Sequence, residues 1–301
     1  CIRDRVDCEA TQRAVNDLYL GERAIRGLGE ILHQQGLLGT FMVIPGDLCA
    51  HAALYRALMA DGHEVGLHVH PGENGHPEYL GLCGPEEQEE ILEHGIVTFG
   101  EVLGMRPLSF TPGYYSANDY TFPALEALGF RHGTVSLPTR DLPQCASIWG
   151  SAPLDAHYPH RYCRSLCGDV DFVEIPPTVD TSTRMWGGAH PLDLRIELVD
   201  AKNHRYTLQK AIQRLLEAGD RIPVKVLKAT THNVFDYSDL RDFRRETLVG
   251  VVQAARELAE RAGCRLIPAT TAEIAARYRA ANPLPPRCPA ADASPSGAGE
   301  A

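Results

Sequence analysis

Five side chains, far apart along the chain, have the types and spacings from which a hydrolytic centre can be built. Asp7 and Glu9 stand two apart in RVDCEATQ, His68 and His70 two apart in GLHVHPGENGHP, and His232 lies in VLKATTHNVFDYSDL. In extended chain, residues two apart point to the same face, so each pair can reach one point. Two imidazoles and a carboxylate suit a divalent ion, and a second carboxylate can take a proton from water. Imidazole titrates near neutral pH and can hand a proton back. Each residue also has a plainer use: Asp7 and Glu9 as capping acids of a helix, the histidines as solvated turn residues. His76, further along the same turn, is a spare candidate ligand.

The chemistry gains weight from where these residues fall. Short apolar segments occur at 2–7, 40–44, 64–69, 108–111, 131–136, 172–178, 224–231 and 265–268. Between them, apolar residues recur at helical period, as in Ile25, Leu28, Leu32, then Leu92, Ile96, Phe99, Leu103, then Leu208, Ile212, Leu215, then Leu248, Val252, Ala255, Leu258. This alternation predicts an α/β chain of parallel strands and crossover helices, with seven to eight strands forming a closed or nearly closed barrel. Gly104, Gly129, Gly219 and Gly263 follow helical runs and read as C-terminal caps. In such barrels the working residues lie at the C-terminal strand ends, where Asp7, Glu9, His68, His70, Thr111 and His232 all fall. Residues 1–281 are expected to be a single domain, with an irregular insertion around 137–171 and a disordered tail over 282–301.

Composition narrows the partners. The 301 residues carry 29 basic and 39 acidic side chains, a net charge of −10, which argues against a nucleic-acid backbone binder. No apolar run is long enough for a transmembrane segment. Nine scattered cysteines, an odd number, point to reduced thiols and favour a cytoplasmic location, with secretion left open because the chain begins at Cys1. Cys163 and Cys167 could begin a zinc site, but no matching second pair follows.

Several segments, in order along residues 1 to 275, resemble the polysaccharide deacetylases of carbohydrate esterase family four. They are RVDCEA, LGTFMVIPGDL, DGHEVGLHVHPGE, LSFTPGYYSANDYTFPALEALGFRHGTVS, FVEIPPT and LKATTHN, of which HEVGLHVHP and TPGYYSAND…LEALGF are the specific ones. The resemblance implies a distorted (β/α) barrel, open on one side, that holds one divalent metal, with zinc the expected ion. The implied activity is hydrolysis of the N-acetyl group of an amino sugar. By position, Asp7 corresponds to the general base, Glu9 and His68 to metal ligands, and His232 to the general acid.

Three departures from the family pattern stand out. Cys8 separates the two acids, and the second is Glu9 rather than Asp. Gly72 occupies the usual place of the second histidine, so His70 is assigned in its stead. Thr111 replaces the Arg that orients the base. Thr111, Tyr114, Trp186 and His190 are the expected substrate contacts, Trp186 in RMWGGAHP as a stacking platform for a sugar ring.

The expected substrate is a small N-acetylated sugar or a secondary-metabolite intermediate, because the 137–171 insertion could close over the mouth. Alternatives are a cell-wall or chitin polysaccharide, a formyl or cyclic amide, and, in another class, a catalytically silent barrel that binds a glycan. The oligomeric state is not legible.

Overall fold

The computed structural model describes residues 2–9 and 17–287. Cys1, Cys288 and the stretch beyond, including most of the expected tail, lie outside the described residues. Five parallel strands come first: β1 (Ile2–Cys8), β2 (Gly39–Val43), β3 (Glu64–Val69), β4 (Ser109–Pro112) and β5 (His132–Gly133). The chain then makes two antiparallel hairpins, β6 (Asp141–Leu142) with β7 (Ser147–Ile148) and β8 (Pro159–His160) with β9 (Cys163–Cys167). It returns to the sheet as β10 (Val173–Glu174), forms a third hairpin from β11 (Val179–Met185) and β12 (His190–Asp193), and ends the sheet with β13 (Leu227–His232).

The sheet order is β10-β5-β4-β3-β2-β1-β13, parallel throughout. The edge strands β10 and β13 do not pair directly. Thr178 N–H donates to the Lys228 carbonyl at 3.2 Å, and the chain after β12 lies along β13, Thr230 N–H donating to Leu194 and Ile196 N–H to Thr230. These irregular bridges make the barrel distorted rather than regular. The segment at 265–268, read above as an eighth strand, forms no strand: residues 264–265 are exposed, 266–268 only half-buried, and Pro268 alone makes an isolated bridge.

The strands are buried on both faces, as parallel sheets under helices must be: every residue of β2 and all but the first of β3 are buried. The helices are α1 (Leu18–Gln34), α2 (Pro45–Ala50), α3 (Ala52–Ala60), α4 (Pro85–Leu103), α5 (Thr121–Ala127), α6 (Ala201–Ala218), α7 (Phe243–Arg261) and α8 (Thr271–Ala281). α1 turns Ile25, Leu28, Ile31 and Leu32 onto the sheet, and α7 turns Leu248, Val251, Val252 and Ala255. They share one core with Val6, Phe41, Leu67 and Phe110. Each fully buried side chain of this size contributes about 1.5–3 kcal/mol. Gly104, Gly129, Gly219 and Gly263 all have positive φ at the ends of helical segments. No helix among the described residues is long and apolar enough to cross a membrane. Residues 282–287 lie against the body: Tyr158 donates to the Asn282 carbonyl and Leu284 packs on the small cluster around Tyr158 and Tyr278.

Candidate active site

Strand register carries distant residues to one end of the barrel. Asp7 lies beside His232 across β1 and β13, and His68 beside Thr111 across β3 and β4. Glu9 follows the end of β1, where its N–H donates to Asn233 Oδ1 at 2.7 Å. Asn233 in turn donates from its backbone to the Asp7 carbonyl and from its side chain to buried Asp47. One amide side chain thereby fixes how the acids leave the strand.

Asp7, Glu9, His68, His70 and His232 all line one cavity of about 320 Å³, walled by Tyr114, Tyr115 and Trp186. A shallower depression of about 600 Å³ between α1 and α3 has none of these groups, and we place the chemistry in the smaller cavity.

Glu9, His68 and His70 form a candidate metal site. His70 Nε2 is 2.9 Å and His68 Nε2 3.2 Å from Glu9 Oε2, and the two Nε2 atoms are 3.2 Å apart. Nitrogens each about 2.0–2.1 Å from one tetrahedral ion would stand roughly 3.3 Å apart, so the donor set fits a divalent ion. The far nitrogens are tethered: His68 Nδ1 to the Thr111 carbonyl at 3.0 Å and His70 Nδ1 to Glu78 Oε1 at 2.9 Å. An Nδ1–H held in this way leaves Nε2 with its lone pair toward the ion. Burial opposes a positive charge on His70, but Glu78 and Glu9 outweigh it and lift its pKa to about 9. The field at this point favours a cation.

These are the one group of three or more His, Cys, Asp or Glu side chains among the described residues whose ligand atoms all lie within 4.8 Å of one another. Cys163 and Cys167 are not part of such a group, and the described cysteines are free thiols. His76 is half-buried and outside the cavity wall.

Asp7 is almost wholly buried and forms a very short ion pair with Arg5, two residues earlier on β1. Burial would raise the pKa of its carboxyl, but Arg5, then His68 and His232, hold it below the usual carboxylate range. Its Oδ1 has no hydrogen-bond partner among the described residues. Arg5 donates its other terminal nitrogen to Thr111 Oγ1 at 2.9 Å. A guanidinium therefore reaches Thr111 from β1, across the barrel interior.

His232 turns Nδ1 to Glu197 in a very short contact, and its Nε2 lies 3.8 Å from Asp7 Oδ2 and 3.9 Å from Glu9 Oε1. Burial works against its protonation, but Glu197 first, then Glu9 and Asp7, raise its pKa.

Two expected substrate contacts, Thr111 and His190, are not among the residues lining the cavity. Thr111 is wholly buried behind the histidines, where its hydroxyl serves Arg5 and its carbonyl His68. His190 is wholly buried under Trp186, the rings stacked at 4.2 Å, and does not reach the rim. Tyr114 and Trp186 do line the cavity, 43% and 51% exposed. Sequence reasoning missed Arg5, Asn233, Glu78 and Glu197. Asn233 could have been suspected from its place beside His232; the others carry no local signal.

The sequence matches no family model and no curated protein. In three dimensions the chain is similar to a Mycobacterium smegmatis protein named as a polysaccharide deacetylase, with TM-score 0.64, 18% identity, and coverage of 95% of this chain and 93% of that one. A Pseudomonas aeruginosa protein of the same designation gives TM-score 0.61, 16% identity, and coverage of 94% and 92%. An allantoinase gives TM-score 0.63, 14% identity, and coverage of 94% and 91%. The chain thus has the fold of these proteins.

Proposed function

We propose that this chain is a divergent polysaccharide deacetylase-like enzyme, a metal-dependent amide hydrolase that removes the N-acetyl group of a small N-acetylated sugar. The carrying observation is the convergence of Glu9, His68 and His70 on one point, with Asp7 and His232 lining the same cavity. Deacetylases among the structural neighbours support the reaction class. A cavity of about 320 Å³ is at the small end for ligand sites and suits a compact substrate better than a polymer.

Glu9, His68 and His70 would hold the ion, zinc by preference for this donor set, which when bound polarises the acyl carbonyl and acidifies a water. Asp7 takes the water's proton. Arg5 keeps Asp7 ionised and pointed while occupying its Oδ2. His232, held protonated by Glu197, gives its proton from Nε2 to the departing amine. Tyr114 and Trp186 flank the substrate with apolar faces.

Acetate release by Asp7→Asn and His232→Ala tests these roles. Each loss should lower kcat by about 10²- to 10⁴-fold while the circular dichroism spectrum stays unchanged. Near-normal turnover in either variant would refute its role. Hydrolysis of a cyclic amide is the second reading, favoured by the equal likeness to an allantoinase. A panel of cyclic and acetyl amides separates the two.

A further inference from the structure

Three arginines line the catalytic cavity, and only one is accounted for by the chemistry above. Arg5 spends its terminal nitrogens on Asp7 and Thr111. Arg195, whose side chain is 15% exposed, has its Nε 3.9 Å from Asp193 Oδ2, beyond hydrogen-bond reach, and that Nε has no partner among the described residues. Arg140 is 4% exposed, its Nε also lacks a partner, and no carboxylate lies within ion-pair distance of it among the described residues. All three guanidinium carbons sit near one ring, that of Tyr115, at 4.8 Å for Arg5, 5.7 Å for Arg140 and 5.9 Å for Arg195. Tyr114 and Tyr115 hold this geometry in the left-handed region, with φ of 57° and 54°, a strained arrangement of a kind that clusters at functional sites.

The nearby acids are already engaged. Asp7 pairs with Arg5, Glu197 with His232, and Glu9 with the two histidines. Asp193 is the nearest acid to Arg195, and against the effect of burial it raises the Arg195 pKa together with Glu197 and Asp7; Arg140 is the guanidinium left without a paired acid among the described residues. A buried guanidinium with no counter-charge is costly unless something supplies one. The cost is visible: burial and then Arg195 push the Arg140 pKa down to about 10, while burial, Arg195 and Arg140 drive His190 down to about 3. His190 is thus a neutral ring behind Trp186 and provides no charge.

We propose that Arg140 and Arg195 form a subsite for an oxyanion carried by the substrate, a carboxylate or a phosphate, which anchors the molecule while its amide lies at Glu9, His68 and His70. Guanidinium forks match both groups through charge-assisted, paired hydrogen bonds, and Tyr115 stacks behind the forks to keep them flat. The location of the amide rests on the hydrolase reading above; the anion subsite itself rests on the arginines.

The test uses the full chain with three probes: neutral N-acetylglucosamine, its 6-phosphate, and N-acetylmuramic acid, which carries a carboxylate. Binding is read from tryptophan fluorescence in His232→Ala, which keeps the Arg5–Asp7 pair, and turnover from acetate release by the unaltered enzyme. At least one charged probe should bind about tenfold or more tightly than the neutral one, the size expected for a hydrogen-bonded charge. Phosphate and carboxylate probes then identify which anion is preferred. Arg140→Gln should erase that discrimination, and Arg140→Lys should restore part of it.

Should Arg140→Gln not fold, the binding variant with Arg140 intact still decides: charged and neutral probes binding alike would overturn the proposal. Equal acetate release from all three would overturn the subsite while leaving the deacetylase reading standing. Charge-selective binding without hydrolysis would support the subsite and remove the reading on which its catalytic placement rests.

Discussion

Arg5 ties the proposed base to the rest of the barrel, donating to Asp7 and, at 2.9 Å, to Thr111 on a strand more than a hundred residues away. Both partners of this ion pair are almost wholly buried. Removing one member of such a pair leaves an uncompensated charge, so Arg5→Met should cost about 3–5 kcal/mol of stability in urea titration. A cost below about 1 kcal/mol would show that the pair does not hold the site. Asp7, Glu9 and the two histidines were legible because each pair lies two apart in an extended segment. Arg5 was not, since DRVDC reads as ordinary strand and its second partner is fixed only by folding. Glu197 escaped for the same reason: LRIELVD reads as an alternating segment, and only the path of the chain after β12 brings it to His232.

Among the elements, the turn after β4 shapes the candidate metal site most closely. A Cβ on Gly113 would lie 2.6–2.8 Å from three atoms of the His70 ring, closer than real contacts allow. Gly113→Ala should therefore displace His70 and weaken metal affinity by about 10- to 100-fold, the range found when a ligand's support is disturbed, while the fold survives. Unchanged affinity in a metal-competition titration would show that His70 is not a ligand. The long helices were plain from their period, since α1 and α7 each turn a continuous apolar face to the sheet. The strand ends were less so. β5 is confined to His132–Gly133 although 131–136 reads as strand, because residues 135–136 turn their N–H groups to the buried Glu174 carboxylate instead of a neighbouring strand. Asp242 caps α7, accepting from Arg244 N–H, and Asp242→Ala should cost about 1 kcal/mol in urea titration.

Over the whole molecule, buried neutral histidines make stability depend on pH. Burial is the leading cause that lowers His157 and His204 to about 4 and His190 to about 3. Arg195 and Arg140 face His190, and Asp155, itself paired with Arg214, faces His157. An unfolded histidine takes up its proton near pH 6.5, whereas these do so only far lower. Their contribution is therefore complete above about pH 6.5 and is lost as pH falls toward 4, on the order of 3 kcal/mol for His157 alone if fully expressed. The thermal midpoint should drop between pH 7 and pH 5, and His157→Phe should flatten the curve. A midpoint independent of pH over that range would contradict the burial of neutral rings. The barrel as a whole was readable from the alternation of segments; its irregular closure between β10 and β13 was not, because it depends on the backbone of residues 178 and 194–196 rather than on any apolar pattern. The most direct test of the central claim is the metal content of the purified chain by inductively coupled plasma mass spectrometry, set beside His68→Ala and His232→Ala. About one zinc-like ion per chain, retained in His232→Ala and lost in His68→Ala, is the expected result. No bound metal in any of the three after reconstitution would contradict the account at its root.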